Sequence, residues 1–179
     1  MYLCSTDFSD IRMQIDVNER VSLAREFFME GYNCTQAVLL AFEDMLGTDR
    51  DSLERLSIGL GGGVGRLREV CGTVNAMAIV AGTFAGLDGK THQQQKKDTY
   101  AIVQELAGKF REENGSIICR ELMALRAGEK QDPMPQERTA EYYKSRPCLR
   151  LVECSARIIA DYVKKNSQLA ENLEIVSNT

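Results

Sequence analysis

The chain has 179 residues, of which 44% are hydrophobic and 27% charged, with a net charge of −4. That is enough to bury a core in a single domain spanning 1–179, with the composition of an ordinary soluble protein. The acidic balance excludes nucleic acid as the main partner, because binding a phosphate backbone needs a basic face.

Residues 1–15 show little periodicity and read as a loose arm. They have no basic region followed by an apolar run, so no signal peptide is expected. The most apolar stretch, Val74 to Ala85, is short for a bilayer span and carries Asn75 and Thr83. No membrane insertion is expected, and a cytoplasmic location follows. The six cysteines then read as reduced thiols rather than a disulfide framework.

Asp16-Val17-Asn18-Glu19 reads as a helix N-cap with a partner three residues on. Val21, Ala24 and Phe28 share one face, and Gly31 ends the helix. Asn33 caps a second helix, with Gln36 as reciprocal partner. Ala37, Leu40, Ala41 and Met45 form its stripe, and Gly47 closes it. A third, shorter helix is expected from a Thr48 cap through Leu53 and Leu56 to Gly59.

GLGGGVGR, residues 59–66, is the strongest breaker in the chain. After it, VCGTVNAMAIVAGTFAG is apolar on nearly every face, Ala-rich and without alternation, which predicts a buried central helix. Gly86 and Gly89 end it. Thr91, with Gln94, caps a longer amphipathic helix carrying Tyr100, Val103, Leu106 and Phe110. Gly115-Ser116 breaks this helix, and Ser116 caps a short one through Cys119 and Leu122. Residues 128–138, GEKQDPMPQER, form a polar loop and the best candidate for a mobile segment. Pro147 suits the first turn of a final helix carrying Leu151, Val152, Ile158, Ile159 and Val163, and residues 167–179 read as a frayed tail. Short-linked helices of this kind predict an all-α fold, a compact bundle around the helix that follows the glycine loop.

Four cysteines fall at or near helix starts: Cys34, Cys71, Cys119 and Cys148. A first helical turn offers unpaired N–H groups and the positive end of the dipole. Both favour a thiolate and can lower a thiol pKa from about 8.5 into roughly the 3.5–7.5 range. Arg66 and Arg68 precede Cys71, Arg120 follows Cys119, and Arg146 and Arg150 flank Cys148. Cys34 rests on its helix start alone, so Cys71 ranks first in expected reactivity. The competing reading is that each is a small buried hydrophobe. Cys4 lies in the loose arm and reads as incidental. Cys154 lies mid-helix, six residues from Cys148 and on another face, and reads as packing.

The glycine loop fits neither GxGxxG nor GxxxxGK[ST], and no strand precedes it. Its glycines read as positions of close packing or positive φ. Beside Cys71 they would also leave room for a thiol, a metal or a small ligand. The single histidine, His92, reads as solvated. Covalent c-type haem is excluded, because there is no CxxCH, and so is a thioredoxin-type or ribbon-type CxxC site.

GYNCTQAVLLAF, GLGGGVGRLREVCGTVNAMA, GSIICREL and CLRLVECSARII, in that order, resemble the putative redox-active proteins named for the C_GCAxxG_C_C signature. The resemblance covers roughly residues 20–165. It implies that Cys34, Cys71, Cys119 and Cys148 are the signature cysteines and that the protein is redox-active. The central CGAxxG element appears as Cys71-Gly72-Thr73-Val74-Asn75-Ala76. Thr73 and Ala76 depart from the pattern but remain small, and Asn75 places a polar group that would face the cysteines.

Three functions compete. The first is a thiol redox protein, a candidate thiol-dependent oxidoreductase, cycling the four cysteines between dithiol and disulfide with an unidentified redox partner. The second uses the same four thiolates to hold a metal such as zinc or copper(I), or an iron–sulfur cluster. The third is a helical interaction module whose cysteines only pack. A homodimer sharing an apolar face suits any of them.

Overall fold

Asp16 opens α1, Val17–Met29, by accepting from the backbone N–H groups of Asn18 and Glu19. Ala24 and Phe28 are its buried residues, and Gly31 turns the chain at φ 109°. Asn33 then starts α2, Cys34–Leu40, with both halves of a capping box. Its side chain accepts from Thr35 and Gln36, and the Gln36 side chain accepts from the Asn33 N–H.

The computed structural model describes residues 15–86, 89–126 and 131–177, with side chains through residue 167. Most of the arm at 1–15 and the first residues of the 128–138 loop lie outside this set. Nine α-helices and no strand occur among the described residues, so the fold is all-α as expected.

Where the chain departs from expectation, a local competition explains it. The second helix does not run on to Met45. It stops at Leu40, Phe42 leaves helical geometry, and α3 resumes at Glu43–Leu46 before Gly47 at φ 65°. The break lets Phe42 and Met45 both reach the core, at 0% and 1% exposure. Helix α4, Arg50–Ser57, is capped by Asp49 rather than Thr48. A carboxylate accepts more strongly there and also meets the positive helix end. A 3-10 turn, Ile58–Leu60, follows.

The expected helix after the glycine loop is α5, Gly72–Phe84, with Cys71 at its N-cap. Thr91 caps α6, His92–Asn114, but the Gln94 side chain pairs forward with Asp98 instead of back to the cap. Leu106 and Phe110 are buried, whereas Tyr100 is 59% exposed and off the apolar stripe. Three helices complete the chain: α7 (Cys119–Leu122), α8 (Ala140–Ser145) and α9 (Cys148–Ser177). Helix α9 carries the 167–179 segment, read as a tail, on to Ser177.

Helix α9 packs against α1, α2, α5 and α6, and α2 lies between α1 and α5. Every residue of α2 from Thr35 is buried, as are Ala41 and Phe42. Burial of this kind is worth about 1.5–3 kcal/mol per large apolar side chain. Ser155, fully buried, donates to the Thr73 carbonyl at 3.1 Å and ties α9 to the start of α5. No described helix is long and apolar enough to cross a membrane.

Candidate functional site: a cavity lined by four cysteines

The glycine segment is the frame of the site. Gly62, Gly63, Val64, Gly65 and Arg66 all have positive φ, between 55° and 71°. Five such residues in a row wind the backbone left-handed, which glycine tolerates and which Val64 and Arg66 accept at a cost of about 1–2 kcal/mol each. The Asn75 side chain donates to the Leu60 carbonyl at 3.2 Å and to the Val70 carbonyl at 3.4 Å, fastening both ends of the segment to α5. Asn75 therefore holds the loop and is not among the residues lining the cavity, contrary to the expectation that it faces the cysteines.

A short antiparallel pairing brings two cysteines together. Val70 bridges Ile118. The Cys71 N–H donates to the Ile117 carbonyl at 2.8 Å, and the Cys119 N–H donates to the Glu69 carbonyl at 2.7 Å. Each cysteine follows its bridged residue by one position, so the two side chains leave the pair on the same side. Cys34 comes from the start of α2 and Cys148 from the start of α9.

All four line one cavity of about 590 Å³, together with Thr73, Met123, Tyr142 and residues of the 131–138 loop. Cys71 and Cys119 are buried, and Cys34 and Cys148 are partly exposed. Two glycines make room for the sulfurs. A Cβ on Gly72 would lie 2.5 Å from Cys34 Sγ, and one on Gly63 would lie 2.6 Å from Cys119 Cβ. The Cys71 thiol sits 3.2 Å from Thr73 Oγ1, and Cys148 Sγ lies 3.7 Å from Met123 Sδ.

The electrostatics correct the expected picture of low-pKa thiolates. Burial pushes the Cys34 thiol up, only partly opposed by the Gly62 backbone N–H. Burial, and then the neighbouring Cys34, push Cys71 up to about 12. Cys148 is likewise pushed up to about 12 by burial and then Cys34. At these three sulfurs desolvation outweighs the helix ends, and α2, which begins at Cys34, is only 7 residues long. The electrostatic reason for ranking Cys71 first does not survive.

The arginines are also redistributed. Arg68 donates toward Cys119 Sγ at 3.9 Å, while its Nε donates to Gln131 Oε1 at 3.0 Å. Arg66 and Arg146 also line the cavity. Arg120 and Arg150 do not; they bond the Leu67 carbonyl and the Asn114 side chain. Sequence reading missed Arg138, whose guanidinium stacks on Phe28, Tyr142 and Tyr143 and donates to the Tyr32 carbonyl. No local signal marked it: Arg138 precedes the Thr139 cap of α8, outside the helix that carries Tyr142.

Cys154 lies apart from the cavity, with Asn114 Nδ2 at 3.3 Å and Glu113 Oε2 at 3.4 Å from its sulfur. Cys4 is outside the described residues. The five described cysteines are free thiols. Among the described residues, no group of three or more His, Cys, Asp or Glu side chains is arranged to hold a metal ion.

A family model described as "Putative redox-active protein (C_GCAxxG_C_C)" matches residues 32–162, well over half of the chain. The chain belongs to this family. No curated protein and no solved structure matches it. The matched span of the C_GCAxxG_C_C family contains Cys34, Cys71, Cys119 and Cys148, and it also contains Arg66, Arg68, Arg138 and Arg146.

Proposed function

We propose that this protein is a thiol–disulfide oxidoreductase whose four cavity cysteines exchange electrons with a disulfide substrate. The observation that carries the reading is that four cysteines from separate segments line a single cavity. Plain packing does not require that convergence. The family description, a redox-active protein, points the same way.

The chemistry is two-electron exchange. One cysteine sulfur attacks the substrate disulfide, forming a mixed disulfide and releasing one thiol. A second cysteine attacks the mixed disulfide, closing a protein disulfide and releasing the second thiol. The protein dithiol is oxidised, the substrate is reduced to two thiols, and the two protons end on the released thiols. Cys119 is the proposed first nucleophile, because the Arg68 guanidinium 3.9 Å from its sulfur can stabilise charge there during attack.

Differential alkylation with mass spectrometry, before and after a mild oxidant and again after reductant, tests the reading. The expected result is a reversible disulfide within the set Cys34, Cys71, Cys119 and Cys148. Arg68→Met is expected to slow alkylation of Cys119 by about fivefold or more at neutral pH. Four thiols that stay free under oxidant, with cysteine variants altering stability alone, would return the protein to the status of a helical packing module.

A further inference from the structure

The cavity wall carries four arginines, Arg66, Arg68, Arg138 and Arg146, and no aspartate or glutamate. The whole chain has a net charge of −4, so this is a local reversal of sign. Among the described residues none of the four arginines forms an ion pair.

Their polar partners are neutral. Arg68 is only 3% exposed, yet its guanidinium meets the Gln131 amide oxygen and the Cys119 sulfur. Arg66 donates to the Asp132 backbone carbonyl at 2.6 Å, and the Asp132 carboxylate accepts from the Met134 N–H. Arg146 donates to Gln136 Oε1. Arg138 Nη1 is buried with no hydrogen-bond partner. Arg138 and Arg146 both stack on the Tyr142 ring, 4.6 and 4.7 Å from its centroid.

Burial and the charges of Arg68 and Arg146 hold Arg66 below the usual guanidinium range, with Asp132 only a partial offset. Clustered cations that repel one another and lack carboxylates are costly in a desolvated wall, and a bound anion relieves that cost. A guanidinium fork also matches carboxylate and phosphate oxygens two at a time.

We propose that the cavity binds a small molecule carrying two or more negatively charged oxygen groups, and that the disulfide substrate is such an anion. The identity of the substrate rests on the thiol-exchange reading; the anion site itself does not. The volume of about 590 Å³ suits a small molecule and not a folded partner. In the reaction the small molecule's S–S bond breaks, one forms between two protein sulfurs, and two small thiols leave with the two protons. The arginines hold the carboxylates, leaving the S–S bond facing the cysteines.

Two readouts test this on the reduced full chain. The first is oxidation by three disulfides: dithiodiglycolate, a dianion; the disulfide of mercaptoethanol, neutral; and cystamine, a dication. Each rate is divided by that of free mercaptoethanol with the same disulfide. The second needs no redox step: the change in Tm with adipate, a dianion, against hexanediol.

The dianionic disulfide is expected to react about tenfold or more faster than cystamine, with the neutral one between. Added salt narrows the gap. Adipate raises Tm and hexanediol does not. Arg146→Gln and Arg66→Gln each reduce the preference, whereas Arg150→Gln, the same charge removed outside the cavity, leaves it intact. A dianion preference in either readout that Arg146→Gln diminishes supports the proposal. No such preference in both overturns it, and equal rates with all three disulfides would then leave thiol exchange standing. If adipate stabilises but no disulfide reacts, the exchange reading falls and the anion site remains.

Discussion

Cys34 Sγ occupies the space that a side chain on Gly72 would need: a Cβ on residue 72 would sit 2.5 Å from the sulfur. The same Cβ would lie 2.6 Å from Thr35 Oγ1 and 3.2 Å from the Leu60 carbonyl oxygen. The glycine after Cys71 therefore makes space for a different cysteine. Gly72→Ala is expected to cost about 1 kcal/mol or more, overpacking outweighing any gain in helix propensity. Denaturant unfolding reads the stability, and the alkylation rate of Cys34 reads the displaced sulfur. If both are unchanged, the contact has no structural weight.

Gly63 and Gly65 separate clash from conformation. Both have positive φ, 71° and 55°. A Cβ on Gly65 meets nothing closer than the Gly59 carbonyl oxygen at 3.9 Å, whereas one on Gly63 meets the Glu69 nitrogen at 2.8 Å and the Arg68 carbonyl carbon at 2.9 Å. Gly65→Ala should lose only the conformational penalty, about 1–2 kcal/mol. Gly63→Ala should lose at least about 1–3 kcal/mol more, because backbone cannot move aside. Equal destabilisation of the two variants would contradict this ordering.

Asn75→Ala removes the donor shared by the Leu60 and Val70 carbonyls. Leaving partly buried carbonyls unpaired is expected to cost about 1–3 kcal/mol. The loosened loop should also expose Cys71, so its alkylation rate rises while that of Cys154, outside the cavity, stays constant. An unchanged Cys71 rate in a destabilised variant would show that the loop is held by other contacts.

The raised thiol pKa values set a pH dependence. Cys71 and Cys148 are pushed from the ordinary 9.0 up to about 12, and Cys34 is raised as well. Between those limits the unfolded chain has lost thiol protons that the folded chain still holds. The unfolded state binds fewer protons, so stability falls as pH rises. The stabilisation is full below pH 9.0 and is lost toward about 12. Urea midpoints measured from pH 8 to 11 should decline, and Cys71→Ala combined with Cys148→Ala should flatten the decline. A slope unaffected by the double substitution would assign it to other groups, Tyr142 among them, since burial raises it too.

Much of the architecture was legible because it is local. Capping at Asp16, Asn33 and Thr91 depends on a side chain and the next two or three N–H groups. The apolar run after the glycine loop is long, Ala-rich and without alternation, which favours the buried helix over a strand, and it forms Gly72–Phe84. The break between α2 and α3 was not legible, because it follows from where Phe42 and Met45 find space in the core. Ser116 shows a finer miss. It accepts from the Ile118 N–H and forms a turn, so Ile118 and not Ser116 is the N-cap, and the helix begins at Cys119, later than a Ser116 cap would start it.

By itself the sequence placed Cys34, Cys71, Cys119 and Cys148 at or near helix starts, from local signals: the Asn33 cap, the glycine breaker before Cys71, the Gly115-Ser116 break and Pro147. It also determined the helical class and the need for glycine before Cys71. Tertiary structure decided the rest. Placing those helix starts around one cavity desolvates the thiols, and desolvation acts against the charge that a helix end would favour. It also decided that Arg68 lies against Cys119, and that Arg138, from a loop with no pattern of its own, joins the wall. Burial and long-range pairing are properties of the packed chain, and neighbours in sequence do not specify them.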